Sequence, residues 1–162
     1  MGITIGPVDW WVASPKSTNS LIPYCPEGTV LPDGSAIICK SGGTAWIVAP
    51  VTTQVIQTWN GSTDDTLVGD KCCVCDWSSL CSALVSAGFN PGDWFVPSCA
   101  QLQNPGYVCK TKWDVYNPNG CGYWASTELG SSSGVCINCC GFVGGVLKSA
   151  TVSVRAFRCV TY

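Results

Sequence analysis

The segment Asp93-Trp94-Phe95-Val96-Pro97-Ser98-Cys99-Ala100-Gln101-Leu102 is the most informative stretch of this 162-residue chain. Ser98 and Gln101 have the spacing of a capping box, in which each side chain accepts a hydrogen bond from the other residue's backbone amide. The segment therefore predicts a short helix that starts at Ser98. Asn104-Pro105-Gly106 follows it, and proline and glycine are typical of a helix end.

A second helix is predicted before this segment, over residues 76–87. Asp76 or Ser78 can cap its start, and Gly88 ends it. Four residues at helical spacing are expected to share its buried face: Leu80, Cys81, Leu84 and Val85.

Most of the remaining chain has the pattern of strands separated by turns. The turn Pro32-Asp33-Gly34 leads into a strand at residues 36–39, and Gly42-Gly43 separates it from a buried strand at residues 45–49. Another strand is predicted near Val55. Later strands are predicted at residues 123–126, 142–147 and 152–160, with long irregular stretches at 103–122 and 129–141. The fold class is therefore α+β, with mixed antiparallel strands, two short helices and long loops.

Three segments of the chain resemble one known family. The segment at residues 93–102 is similar to the family's D-W-x-[LV]-P-[ST]-x-x-[EQ]-L motif. The family's Y-W-S-S-T-E motif is matched by Tyr123-Trp124-Ala125-Ser126-Thr127-Glu128. Its V-R-[AP]-[VF]-R strand is matched by Val154-Arg155-Ala156-Phe157-Arg158. This is the Legionella collagen-like protein C-terminal domain family, which overlaps the Fibrobacter succinogenes major paralogous domains. The resemblance covers about residues 25–160 and implies a C-type-lectin-like fold.

The matched residues are expected to have structural roles. Arg155 and Arg158 are three apart in one predicted strand, so they face opposite sides, and one of them can pair with Glu128. We expect one lectin-like domain at residues 21–162, after an N-terminal arm or anchoring segment at residues 1–20. The structural motif comprises Asp93, Trp94, Ser98, Gln101, Trp124, Glu128, Arg155 and Arg158.

Cysteine makes up about 8% of the chain, a density typical of a disulfide scaffold. Because disulfides persist in oxidising surroundings, we expect the protein to work outside a reducing cytosol, with disulfides tying its long loops. Adjacent cysteines are expected to bond elsewhere, and the odd total leaves one thiol free or bonded to another chain. The candidates are Cys25, Cys39, Cys72, Cys73, Cys75, Cys81, Cys99, Cys109, Cys121, Cys136, Cys139, Cys140 and Cys159.

Zinc is the rival interpretation of these cysteines. Cys136 and Cys139 have the two-residue spacing of one arm of a four-thiolate site. The cluster at residues 72–75 lacks that spacing, and the chain has no histidine. We therefore predict no metal and no cofactor.

Composition limits the partners. Only 11% of residues are charged and the net charge is −2, with no basic cluster, so nucleic acid is not expected. No apolar run reaches the roughly 20 residues of a membrane-spanning helix, so no membrane insertion is expected. So little charge predicts that other subunits cover much of the surface. The alternative is an extracellular monomer kept soluble by Ser, Thr and Asn.

The chain is not expected to be an enzyme. Without histidine there is no Ser-His or Cys-His nucleophile, and no pair of carboxylates is singled out by its spacing. Aromatic and amide side chains in the loops after Ser98 can stack on and hydrogen-bond sugars, or else fill gaps between loops. These ligand-binding candidates are Trp113, Tyr116, Asn117, Asn119 and Tyr123.

The first residues carry no secretory signal pattern, which is unusual beside so many cysteines. A virion protein fits both features, since it is assembled in the host cytoplasm and oxidised after lysis. We therefore expect a phage structural protein: a tail-fibre, baseplate or capsid-surface subunit. Its expected partners are other virion proteins, further copies of itself, and a cell-surface glycan or receptor. The alternative is a secreted or surface-displayed bacterial carbohydrate-binding module.

Overall fold

The computed structural model describes residues 19–61, 67–113 and 122–162. These residues form an α+β domain, which confirms the predicted class. The strands are β1 (Ala36–Ser41), β2 (Thr44–Val48), β3 (Val55–Gln57), β4 (Tyr123–Gly130), β5 (Ser133–Ile137), β6 (Val143–Leu147), β7 (Val152–Val154) and β8 (Phe157–Thr161). The helices are α1 (Ser78–Ser86) and α2 (Cys99–Gln101). Short 3₁₀ turns lie at Ile22–Tyr24, Val51–Thr53, Trp59–Gly61, Val74–Asp76, Pro91–Asp93 and Lys110–Lys112. Residues 1–18 lie outside the described part, so the N-terminal arm stays a prediction.

The strands form two sheets. One has the order β1-β2-β8 and the other the order β3-β7-β4-β5-β6. All pairs are antiparallel except β4 with β7, which run parallel and meet at Tyr123 and Ser153. The strand predicted at residues 152–160 is in fact split at Arg155-Ala156, because the chain there crosses from the five-stranded sheet to the three-stranded one.

The five-stranded sheet is buried on both faces at its centre. One face packs on a cluster that includes Trp59, Trp77 and Trp124, all fully buried. The other face packs on a second cluster, around Val135 and Phe157. A buried indole N–H needs an acceptor, and the cluster supplies one within the sheet, since Trp59 donates to the Ala125 carbonyl at 2.9 Å.

Helix α2 has the predicted capping box. The Ser98 backbone amide donates to Gln101 Oε1 at 2.9 Å, and the Gln101 amide donates to Ser98 Oγ at 3.3 Å. The helix ends at Gln101. A wide turn, Leu102–Tyr107, follows it, and Asn104 within this turn is extended (φ −144°, ψ 115°). The local sequence alone was enough to predict this element.

Gly88 lies two residues beyond the end of α1 and stops the helix as predicted, because this glycine has a positive φ of 86° and the Phe89 amide reaches back to the Leu84 carbonyl. Its predicted caps are wrong, since the N-cap residue is Trp77 and makes no side-chain cap. Instead Gln57 Oε1, on β3, accepts the Leu80 amide at 3.1 Å. Val85 is also misassigned: it is 58% exposed.

The irregular stretch predicted at residues 129–141 is wrong in its first half. Strand β4 extends to Gly130, and β5 follows after a short turn. The serine- and glycine-rich sequence there has the composition of a loop, but Gly134 lies in β5 beside Trp59, where a side chain would not fit. No helix in the described residues is long and apolar enough to cross a membrane.

Candidate interaction surface at the open edge of the five-stranded sheet

Two of the predicted sugar-stacking residues belong to the core. Trp113 is 6% exposed and Tyr123 is 9% exposed. Their rings lie 5.1 Å apart between centroids, and the Trp113 indole donates to the Gly106 carbonyl at 2.8 Å. They therefore fill space between elements instead of presenting a flat face to a ligand. Tyr116, Asn117 and Asn119 lie outside the described residues, so binding by these three stays a prediction.

The two motif arginines lie close to the core. Arg158 stacks over the Trp94 ring at 4.8 Å and lies 3.8 Å from Asp33. Arg155 donates to the carbonyls of Ala49 at 2.8 Å and Trp113 at 2.9 Å. Neither is the partner of Glu128, and that prediction is corrected.

Glu128 instead pairs with Lys148, the residue directly after β6. The side chains are 6% and 3% exposed respectively, and the Lys148 ammonium lies 4.9 Å from the centre of a Trp59 ring. Glu128 also accepts the backbone amides of Val68 at 3.0 Å and Gly69 at 2.6 Å. The hydrogen bond from Lys148, and then the one from the Val68 amide, lowers the pKa of Glu128.

A carboxylate held in its ionised form in this way is suited to fastening the 67–70 segment to β4. The Glu128 amide also donates to Asp70 Oδ1 at 2.8 Å, so both the side chain and the backbone of Glu128 hold this segment. Lys148 was missed in the sequence because nothing near it in the chain predicts a buried lysine.

No disulfide joins any two of the twelve cysteines in the described residues, and Cys121 lies outside them. Thiols nevertheless lie near one another in three places. Burial, and then the neighbouring Cys39, raises the pKa of Cys109. A hydrogen bond with Cys73 raises the pKa of Cys75. The Cys139 and Cys140 sulfurs lie 3.8 Å apart at the surface.

The zinc alternative has no site in the part of the chain that the structure describes. No group of three or more potential ligands is arranged there to hold a metal ion. Within the predicted arm, Cys136 is buried whereas Cys139 is exposed. The disulfide interpretation stays a prediction.

Most of the cations are engaged inside the domain. Lys40 donates to the carbonyls of Ile22, Pro23 and Cys25, and Lys112 pairs with Glu27 at 3.3 Å. Six cations make such contacts within the domain: Lys40, Lys110, Lys112, Lys148, Arg155 and Arg158. Six of the chain's eight basic residues therefore have a contact within the domain, and of these Lys112 remains partly exposed beside Glu27.

Strand β6 is an end strand of the five-stranded sheet. Beyond the ends of its pairing with β5, the Asn138 amide donates to the Phe142 carbonyl and the Lys148 amide to the Ser132 carbonyl. Because hydrogen-bonded pairs alternate along an antiparallel ladder, the even-numbered residues of β6 bond β5. The backbone N–H and C=O groups of Val143, Gly145 and Leu147 therefore point to the open edge, and the Leu147 C=O also accepts the Ala150 amide at 2.9 Å.

Apolar side chains surround this open edge. Val143 is 37% exposed, Leu147 60%, and Phe142, just before the strand, 75%. Beside them Leu129, on β4, is 62% exposed and overhangs Gly145. Residues 141–147 contain no charge. We call Val143, Gly145, Leu147 and Leu129 the β6 edge surface.

The opposite face of β6 borders an open groove of about 230 Å³. Apolar side chains form most of its lining, which includes Phe142, Val146 and Val152. The groove holds few polar groups that could orient a small ligand, so it extends the apolar character of the edge rather than forming a separate polar site.

No family model matches the chain, and no curated protein matches it in sequence. The resemblance to the lectin-like family therefore stays a prediction, and the function is argued from the surface itself.

Proposed function

We propose that this protein is a non-enzymatic structural subunit of a phage virion, in which neighbouring subunits cover much of its charge-poor surface. The observation that carries the proposal is the β6 edge surface. Natural proteins protect an open sheet edge with charges, prolines, bulges or a covering element, because a bare edge associates with other strands. Strand β6 has exposed apolar side chains and no charge or proline, so it is suited to a protein that is buried in an assembly.

The distribution of charge supports the same conclusion. A soluble monomer usually carries interspersed surface charges that oppose association. Here Lys148 and Glu128 are buried against each other, and Arg155 is directed to backbone carbonyls. A chain in which only 11% of residues are charged is better suited to contact with other subunits than to free solution.

We further propose a C-type-lectin-like scaffold that contacts a host receptor or glycan through the loops after α2. The three motif segments support it, because Trp94, Trp124 and Phe157 are core residues, as the resemblance implies. The capping box at Ser98 supports it as well. The receptor contact itself is assigned to the 103–122 loop region by analogy with the family alone.

Antibodies against the purified chain test the virion assignment. Phage particles from host lysates are purified on a density gradient and probed beside the soluble fraction, on non-reducing and reducing gels. We expect the chain in the particle band. Finding it only in the soluble fraction, as a monomer, would overturn the proposal and favour the secreted carbohydrate-binding module.

A further inference from the structure

We propose that two copies of this chain pair edge to edge through β6, in an antiparallel ladder centred on Gly145, to make one sheet that runs through both copies. The inference rests on the proposed function, since it names the partner that covers the β6 edge surface. The observation behind the inference is that outward backbone groups of β6 lie beside uncharged apolar side chains at the same edge.

The backbone limits the possible registers. Two residues that lie opposite each other in an antiparallel pair have their side chains on the same face of the sheet. When a two-fold axis relates the two strands, the axis must therefore pass between one residue and its own copy. That residue can form either a hydrogen-bonded or a non-hydrogen-bonded pair with its copy, so the backbone allows an axis at any residue of β6. Only an axis at Gly145 pairs the strand along its whole length, Val143–Leu147.

This register satisfies every outward group of the strand. Gly145 pairs with the partner's Gly145, Val143 with the partner's Leu147, and Leu147 with the partner's Val143. Each of these three pairs exchanges two backbone hydrogen bonds, so six bonds form across the interface; in two of them a Leu147 carbonyl accepts the partner's Val143 amide beside its own Ala150 amide. The groups that point away from β5 in one copy then all have partners.

The side chains fit the same register. On the exposed face, each Val143 lies beside the partner's Leu147, so that apolar groups meet apolar groups. Gly145 leaves room at the centre, where Leu129 of each copy overhangs the ladder. On the groove face Gly144 lies opposite the partner's Val146, and the space where a Gly144 side chain would stand is open.

Charge also favours a second copy as the occupant. Because residues 141–147 carry no charge, a copy that presents the same strand meets no like-charge repulsion. A charged peptide would gain no complementary partner along this edge. Charge therefore permits a second copy of this strand, and the pairing of Val143 with the partner's Leu147 selects it.

Sedimentation velocity on the full chain, with thiols kept reduced, tests the pairing. We expect the wild type to sediment as a dimer of the 17.1 kDa chain.

The double variant Val143→Lys/Leu147→Lys places lysine directly opposite the partner's lysine and should be a monomer. Val143→Pro removes one outward N–H but no bond to β5, and should weaken the dimer about fivefold or more, because it removes two bonds to the shared Leu147 carbonyls. Ile56→Lys is the matched control: it introduces lysine at an exposed position of β3, at the other end of the same sheet, and should remain a dimer.

Circular dichroism and the thermal midpoint show whether each variant is folded. If the double variant does not fold, the sedimentation of Val143→Pro tests the pairing in its place. A wild type that is monomeric at the highest soluble concentration would overturn the pairing. So would a dimer that both β6 variants retain. Because the virion assignment is tested on particles, a chain found in particles but unaffected by these substitutions would refute the pairing and leave the virion assignment standing.

Discussion

Gly134 lies directly against the indole ring of Trp59, so closely that a Cβ added at position 134 would overlap the ring. Trp59 is fully buried and donates its N–H to the Ala125 carbonyl, so it has little room to move. The glycine that makes β5 look like a loop in the sequence is therefore required by the core.

Gly134→Ala should lower the free energy of unfolding by about 1–3 kcal/mol, because it overpacks this contact. Gly144→Ala is the matched control: it lies on the neighbouring strand, where an added Cβ meets open space. Chemical denaturation of both variants checks the prediction. Equal stabilities of the two variants would mean that Trp59 does not pack on Gly134 in this way.

Ser98→Ala should cost about 1 kcal/mol, since it removes the side-chain acceptor at the start of α2. Ser78→Ala should change stability by less than about 0.5 kcal/mol, because Ser78 opens α1 without capping it. The comparison is made by urea denaturation. A larger loss at Ser78 than at Ser98 would contradict the cap assignment.

Acid should weaken the contact between Glu128 and the 67–70 segment. The pKa of Glu128 is lowered from its ordinary value of 4.5, first by the hydrogen bond from Lys148. Its stabilising contribution is therefore fully present above about pH 4.5 and is lost as the pH falls through the lowered pKa.

The thermal midpoint, followed from pH 7 downward, measures this effect. Wild type should lose stability below about pH 4.5 more steeply than Glu128→Gln, which has no carboxylate to protonate at this position. Glu27, whose pKa is lowered first by the Lys40 amide, contributes to both proteins alike. Parallel curves for wild type and variant would show that Glu128 adds no pH-dependent stability.

Oxidation should join Cys39 to Cys109. Both residues pack against the same core cluster. Cys39 lies on β1, and Cys109 directly precedes the Lys110–Lys112 turn. Each disulfide forms when two thiols give two electrons and two protons to an oxidant such as glutathione disulfide. Closing a loop of this length contributes about 4 kcal/mol on the chain-entropy view.

Peptide mapping of the oxidised, unreduced protein tests this link. We expect one cross-linked pair that contains Cys39 and Cys109, absent from a reduced and alkylated control. Recovery of Cys39 and Cys109 each bonded to a different cysteine would contradict it. Recovery of most cysteines as alkylated thiols from protein isolated outside the cell would also refute the expectation of a disulfide scaffold.

The sequence predicted the elements whose causes are local. The capping box of α2 and the glycine that ends α1 are each set by residues a few positions apart, and both are present. What it missed depends on distant contacts. Gln57, on β3, accepts a backbone amide at the start of α1, and Lys148 pairs with Glu128 across the sheet.

The candidate surface was missed for the same reason. Strand β6 was predicted from its apolar residues, but whether a strand is central or at an edge depends on the order of strands in the sheet. The aromatic residues chosen instead were judged by type, and Trp113 is occupied by packing on Tyr123 and Phe157. The low charge in the composition was the signal that pointed to an interaction surface.

Residue-resolved hydrogen exchange of the assembled wild type tests most directly whether the open edge is covered. The amides of Gly144 and Val146 are the internal reference, because they bond β5 whether or not a partner is present. We predict that the amides of Gly145 and Leu147 are protected to a similar degree. Exchange of these two amides at the rate of an unstructured peptide, while Gly144 and Val146 remain protected, would contradict the account.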